Sequence, residues 1–251
     1  METKKRVLFE IDRDISEKKY NDAIEISYEG FKCFKDSCFL SKVVEVHQNT
    51  RNYKGAISVL KTMLKTEKDS EHILNKIANS YFAITKYRDA LKYYKLLLEK
   101  NPKSSEYNFN VGCTYDFMKD YKKALQYYQF ALDADSSNVP ALNNYAMICY
   151  TKKLYDVAIS ILDWSIKIAP SHYGAYYHLG VIKREYNKDL DFSLLYLKKA
   201  YELNPQYALI SYELALTYKA MNNIPSAIEY VKKSLEIDSS CRPALKLFKE
   251  L

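Results

Sequence analysis

His47, His72, His172 and His178, together with Cys33, Cys38, Cys113, Cys149 and Cys241, are the side chains of this chain best suited to hold a metal or act as nucleophiles. Their spacing gives them little to do. No two histidines stand at i and i+4, the separation that sets two ligands on one helix face, and the cysteines form no CxxC pair. The sequence also lacks a glycine-rich phosphate loop and a nucleophile elbow. These observations predict a protein that is not an enzyme and needs no cofactor. A different chemistry is offered by Asn75, Asn79, Asn110, Asn143 and Asn144. An amide carries a donor and an acceptor together, so a row of amides can pair with the backbone of an extended peptide without reading its side chains.

Composition sets the elements that must position them. Of 251 residues, 48% are apolar and 27% charged, with only five glycines and six prolines to punctuate the chain. Long alternating Val/Thr runs are missing, so the expectation is an all-α fold of many short-linked helices. The opening METKKRVLFEIDRDISEKK has no apolar core of secretory length, and no stretch reaches the ~20 apolar residues of a membrane span, which predicts a cytoplasmic chain without membrane insertion. The net charge of +7 could draw an anionic partner. Lysines are interleaved with acids, however, and the doublets Lys122/Lys123, Lys198/Lys199 and Lys232/Lys233 sit opposite apolar stripes, as a solvated face does. Nucleic-acid binding is disfavoured on that ground. Most of the 25 tyrosines take packing positions.

Those packing positions recur. Ala23, Ala56, Ala90, Ala124, Ala158, Ser193 and Ala227 follow one another at separations of 33, 34, 34, 34, 35 and 34 residues. Three residues before each stands Tyr20, Tyr53, Tyr87, Tyr121, Tyr155, Leu190 or Ile224. A second small residue precedes the first by about twelve, at Ala78, Gly112, Ala146, Gly180 and Ala215. Pro102, Pro170 and Pro205 fall at one phase and end helices, whereas Pro140, Pro225 and Pro243 follow polar residues at predicted helix starts.

The skeleton resembles the tetratricopeptide repeat: Leu74, Ile77, Ala78, Tyr81, Ala90, Tyr94 and Pro102 in one unit, Val111, Gly112, Tyr115, Ala124, Tyr128 and Ala131 in the next. Further matches are Leu142, Ala146, Ala158, Leu162 and Pro170, then Leu214, Ala215, Tyr218 and Ala227. The resemblance implies a single right-handed α-solenoid superhelix over residues 1–251, with repeats near 4–36, 37–70, 71–104, 105–138, 139–172, 173–207 and 208–241 and a capping helix over 242–251. In the capping segment the apolar stripe is read at Leu245 and Phe248. Two departures stand out. Ile11 and Val44 replace the family's small residue in the first two units, predicting wider or irregular joints, and the segment between Arg184 and Ser193 is one residue long, predicting a local bulge.

In this family the first helix of each repeat lines a concave, peptide-binding groove. Carried onto this chain, the lining is Asn75, Asn79, Phe82, Phe109, Asn110, Asp116, Asn143, Asn144, Tyr150, Tyr177, Arg184, Tyr212 and Lys219. The resemblance therefore implies a non-catalytic adaptor that binds a protein or peptide segment. The alternative is a peptide-responsive sensor that changes superhelix curvature. Family members that clamp a chaperone's C-terminal carboxylate need basic residues where this chain has Asn75, Pro140 and Asn144. Without cations the charge-assisted bonds are lost, which argues against that ligand.

Overall fold

The computed structural model describes residues 2–68 and 70–251; Met1 and Asp69, within the predicted span 1–251, lie outside the described residues. Helices alternate along the described chain in antiparallel pairs: α1 (Glu2–Ser16) with α2 (Tyr20–Phe34), α3 (Ser37–Asn49) with α4 (Tyr53–Thr66), and α5 (Glu71–Ala83) with α6 (Tyr87–Lys100). They continue as α7 (Ser105–Phe117) with α8 (Tyr121–Ala134), α9 (Val139–Thr151) with α10 (Tyr155–Ile168), α11 (Tyr173–Ile182) with α12 (Leu190–Leu203), and α13 (Ala208–Ala220) with α14 (Ile224–Ile237). A final helix, α15 (Arg242–Glu250), closes the chain. No strand occurs among the described residues, and none of their helices is long and apolar enough to cross a membrane. The architecture is all-α, an α-solenoid of helix pairs. Two compact units divide within α8, the first running to Tyr127 and the second from Tyr128 to Leu251.

Helix starts and stops follow ordinary capping chemistry. The side chains of Asn52, Ser104, Asn138, Asp189 and Asn223 accept from the backbone N–H groups of Gly55, Tyr107, Ala141, Phe192 and Ser226 at 3.0–3.2 Å. Pro140, Pro225 and Pro243 occupy the first turns of α9, α14 and α15, where the missing N–H has no partner to lose. Each pair is joined by a turn with one residue at positive φ: Lys18, Arg51, Thr85, Lys119, Lys153, Lys188 or Asn222. None of the chain's glycines takes a positive φ.

Gly180 serves a joint instead. A Cβ built on Gly180 of α11 would lie 2.5 Å from Leu197 Cγ and 3.2 Å from the Ser193 carbonyl oxygen of α12. The alanine and serine series is equally tight: Ala23, Ala56, Ala90, Ala124, Ala158, Ser193 and Ala227 are all completely buried. Beside them tyrosines fill the joint, with Tyr81 on Tyr93, Tyr115 on Tyr127 and Tyr218 on Tyr230 stacked at centroid separations of 5.7, 5.6 and 5.5 Å. Ile11 and Val44, larger than the family residue, are also fully buried.

Core clusters run from one pair into the next. In the first unit Leu40, Val44, Ala56, Leu60, Ile73 and Ile77 form one cluster across α3, α4 and α5. Leu197, Ala200, Ile210 and Leu214 do the same between α12 and α13 in the second. The extra residue after Arg184 is taken up inside the helix end. Lys183–Asn187 forms a π turn, closed by Lys188 in the left-handed region and a 3.0 Å bond from Asp189 N–H to Lys183 O. The capping helix corrects one expectation. Ala244 and Leu247 are its buried residues, packed with Cys241 on Ala215 and Val231, whereas Leu245 and Phe248 are exposed.

Gly180→Ala is expected to destabilise the protein by about 1–3 kcal/mol, because the methyl group must displace Leu197 and press on a backbone carbonyl. Urea unfolding followed by circular dichroism measures it; an unchanged midpoint would show that the joint has room.

Candidate functional site

Four of the residues read from the sequence come together in the first unit. Asn79 and Phe82 of α5, Phe109 and Asn110 of α7, Tyr94 of α6, and Cys113 and Phe117 of α7 line a hollow of about 370 Å³. Helical spacing explains the gathering: 79 and 82 lie three apart, and 110, 113 and 117 lie three and four apart, so each set shares one helix face. Phe82 meets Phe117 edge-on at 5.1 Å and Tyr87 at 5.4 Å, and Tyr87 stacks on Phe117 at 5.8 Å. Phe117 remains largely exposed and gives the hollow an apolar rim.

One polar contact sets the chemistry of this hollow. The buried Tyr94 hydroxyl donates to Asn79 Oδ1 at 2.5 Å. Burial pushes the phenol's pKa up, with Cys113 and Glu106 adding to it, so the hydroxyl stays a donor. The Asn79 oxygen is thereby occupied, and its Nδ2 is the group left to meet a ligand carbonyl. Asn110, half-buried at the same hollow, adds a second amide.

The remaining candidates of the first unit sit differently. Asn75 donates to Glu106 Oε1 at 3.0 Å, while its own Oδ1 is buried without a hydrogen bond. Nearby, Tyr107 donates to Glu71 at 3.1 Å, so α5 and α7 are tied by two side-chain bonds. Asp116 is half-buried one residue before the exposed Phe117.

In the second unit most candidates hold the stack together. Asn143 is buried: its Oδ1 accepts from Ser165 Oγ at 2.9 Å, and its Nδ2 lies 3.3 Å from His172 Nδ1. It is an internal tie, not a lining residue. Asn144 donates to the hydroxyl of the fully buried Tyr128 at 3.3 Å. Tyr150 donates to Glu185 and meets Tyr155 at 5.7 Å, which in turn stacks on Tyr186 at 4.2 Å.

Arg184 is spent within the fold. Its Nη2 pairs with Glu213 Oε2 at 2.6 Å, with the two side chains only 11% and 12% exposed, and its Nη1 donates to the Glu213 carbonyl at 3.2 Å. Burial pushes the Glu213 carboxyl up and Arg184 opposes it. Lys219 pairs with Glu250 of the capping helix at 3.1 Å, and Tyr212 lines a separate hollow of about 410 Å³ with Leu216 and that helix. Tyr177 packs edge-on against Tyr207 at 5.9 Å, and burial pushes its phenol up.

Sequence reasoning overlooked Tyr94, Cys113 and Phe117 as lining residues. Tyr94 and Tyr128, 34 residues apart, both place a hydroxyl against a first-helix asparagine, but Tyr94 donates to Asn79 of its own pair and Tyr128 accepts from Asn144 of the next, so the repeat register alone does not predict either contact.

The tetratricopeptide repeat family model matches residues 105–138 and 208–241. In three dimensions the chain is similar to a tetratricopeptide repeat protein from Parabacteroides merdae, with a TM-score of 0.79 and 16% identity over 99% of this chain and 98% of that one. It is also similar to PilW, a type IV pilus biogenesis factor, with a TM-score of 0.70 and 19% identity over 84% of this chain and 97% of that one. YrrB, a tetratricopeptide-repeat protein with an unusual peptide-binding site, gives a TM-score of 0.53 and 20% identity over 76% of this chain and 98% of that one. At these identities the likeness is one of fold. None of the curated proteins matches the chain in sequence.

Two measurements test the second unit. Arg184→Leu leaves the Glu213 carboxylate buried without its cation and is expected to cost about 3–5 kcal/mol in urea unfolding, far more than loss of an exposed arginine. His178 supplies a pH dependence: burial, with His172 adding to it, lowers its pKa from 6.5 to about 4, and its Nδ1 has no hydrogen bond. The folded state prefers the neutral ring, so the stability it carries is complete above pH 6.5 and is lost as pH falls toward 4. The loss is expected to reach about 2–3 kcal/mol, read as the difference in pH slope between the parent and His178→Phe; equal slopes would contradict it.

Proposed function

As the chain is a tetratricopeptide-repeat protein, we propose that it is a non-catalytic adaptor whose first helices hold an extended segment of another protein. A protein-interaction scaffold is what this fold supports in general. The finer reading rests on the hollow between α5 and α7. It combines an aromatic wall of Phe82, Phe109 and Phe117 with the amides of Asn79 and Asn110. An apolar side chain of the partner fits the wall, and the flanking peptide groups meet the amides. Amide-to-backbone pairing fixes direction and register, and the aromatic wall supplies the burial that gives affinity. YrrB, whose fold this chain resembles, is itself described by its peptide-binding site.

Nothing in the hollow favours a charged ligand. Asn79, Phe82, Tyr94, Phe109, Asn110, Cys113 and Phe117 include no cation and no carboxylate. Arg184, a basic group among the candidates, is already paired with Glu213, and Lys219 with Glu250. The preferred segment is therefore extended and apolar at one anchor position, and it does not end in a free carboxylate at this hollow.

The test is selection of displayed random peptides on the full chain, followed by calorimetry of the enriched peptides with the parent, Asn79→Ala, Asn110→Ala and Phe82→Ala. Each variant is expected to weaken binding about tenfold, and amidating the peptide's C-terminus is expected to leave it unchanged. Enriched peptides that bind all three variants as tightly as the parent would place the contact elsewhere.

A further inference from the structure

The capping helix carries two cations that the fold leaves unused. Arg242 and Lys246 stand four residues apart on one face of α15, and both are exposed. With Tyr212 and Leu216 of α13 and Leu247 and Glu250 of α15 they line a single hollow of about 410 Å³ in the second unit. Among the described residues neither side chain has an ion-pair or hydrogen-bond partner. The acids around them are spent elsewhere. Glu250 pairs with Lys219 at 3.1 Å, and Asp238, in the neighbouring hollow that Arg242 also lines, accepts from the backbone N–H and hydroxyl of Ser240 at 2.9 and 2.7 Å. Helix stability does not account for Arg242 either: it stands in the first turn of α15, where the aligned peptide dipoles disfavour a cation and no acid offsets it.

We propose that this hollow takes an extended, acidic segment of a partner protein, with two glutamates two residues apart, one on each cation. Spacing and charge together carry the choice. Four residues of helix rise about 6 Å, and alternate residues of an extended chain stand about 6.6 Å apart on one side, so a Glu-x-Glu step laid along α15 matches Arg242 and Lys246. Arg242 can meet its carboxylate with a two-pronged guanidinium, and Lys246 meets the other as a point charge. Glutamate suits the hollow better than aspartate, because its two methylenes cover the apolar floor of Tyr212, Leu216 and Leu247 while the carboxylate reaches the rim. Glu250 ends the run. It lines the same hollow four residues beyond Lys246, so a third acid in the alternation meets a carboxylate, and a phosphate dianion is repelled by it. The site lies wholly in the second unit and shares no residue with the hollow between α5 and α7, so it is independent of the reading given for that hollow.

The probe is a rhodamine-labelled, C-terminally amidated peptide whose only acids are one Glu-x-Glu step with leucine on either side. Fluorescence anisotropy follows its titration with the full chain, and binding is expected to saturate below about 0.5 mM. Arg242→Gln and Lys246→Gln should each weaken binding at least about fivefold, with unchanged far-ultraviolet circular dichroism because both cations are exposed. Lys246→Arg keeps the charge and should bind within about twofold of the parent. Lys249→Gln, on the same helix but outside the hollow, and Asn79→Ala, in the first unit, should also change affinity less than about twofold. Replacing both peptide glutamates by glutamine should cost at least about tenfold. Absence of saturation with the glutamate peptide, or equal binding of its glutamine form, would overturn the proposal. So would a loss with Lys249→Gln or Asn79→Ala as large as that with Lys246→Gln, which would put the contact elsewhere. Tighter binding of a peptide with phosphoserine at both positions would also overturn it, by changing the ligand from carboxylate to phosphate.

Discussion

One steric condition governs the molecule: on the second helix of each pair, where it touches the first, the side chain is small. Gly180, on the first helix of its pair, shows how close that contact is, since even a methyl group there would run into Leu197 and approach a carbonyl of the opposing helix. The fully buried Ala90, Ala124 and Ala158 meet the same requirement at little cost, because alanine gives up no rotamer freedom on burial. With the backbones brought close, the flanking tyrosines are forced into a fixed geometry. Hence Tyr81/Tyr93, Tyr115/Tyr127 and Tyr218/Tyr230 repeat nearly the same stack, with interplanar angles of 18°, 21° and 18°.

A pair held this way still has apolar residues on its flanks. Leu60 and Ile77, or Leu197 and Leu214, are covered only because the next pair stands against them. The polar seams follow the same logic of borrowing from a neighbour. Ser165 reaches the Asn143 amide on the preceding helix, Ser234 donates to the Ala208 carbonyl, and Arg184 reaches Glu213 in the next pair. In each case a buried polar group finds its partner 22 to 29 residues away. Stability is therefore carried by contacts between elements, and a change at one joint is felt in the pairs beside it.

This division explains what the sequence could and could not disclose. Joints are legible because a small residue has one steric job, and the job repeats at fixed spacing; the helix-start prolines are legible for the same reason. Asn143 and Arg184 were not, because an asparagine or arginine has no single job. Their partners depend on how neighbouring pairs meet and, for Arg184, on the π turn that absorbs the extra residue. The capping helix is a related case. Its nine residues offer Ala244/Leu247 and Leu245/Phe248 as two apolar stripes, and only contact with Ala215 and Val231 decides between them. Phe82 and Asn79 were legible as lining because first-helix positions three apart share a face, whereas Tyr94 enters the hollow from the second helix, outside that face.

The repeat also separates the molecule's surfaces by chemistry. On the first helices of the first unit, an amide beside aromatic rings survives exposure because a buried tyrosine hydroxyl holds Asn79 in place from beneath. On the second helices of the second unit, the exposed positions at one phase become large and apolar: Phe130 on α8 and Trp164 on α10 stand 34 residues apart. The joint tolerates either outcome, since the small residues that fix the backbone lie about a third of a turn around each helix from these outward positions. A scaffold whose internal contacts are confined to one stripe per helix leaves the other stripes free to vary. That freedom lets consecutive repeats with the same interior present different chemistry outside.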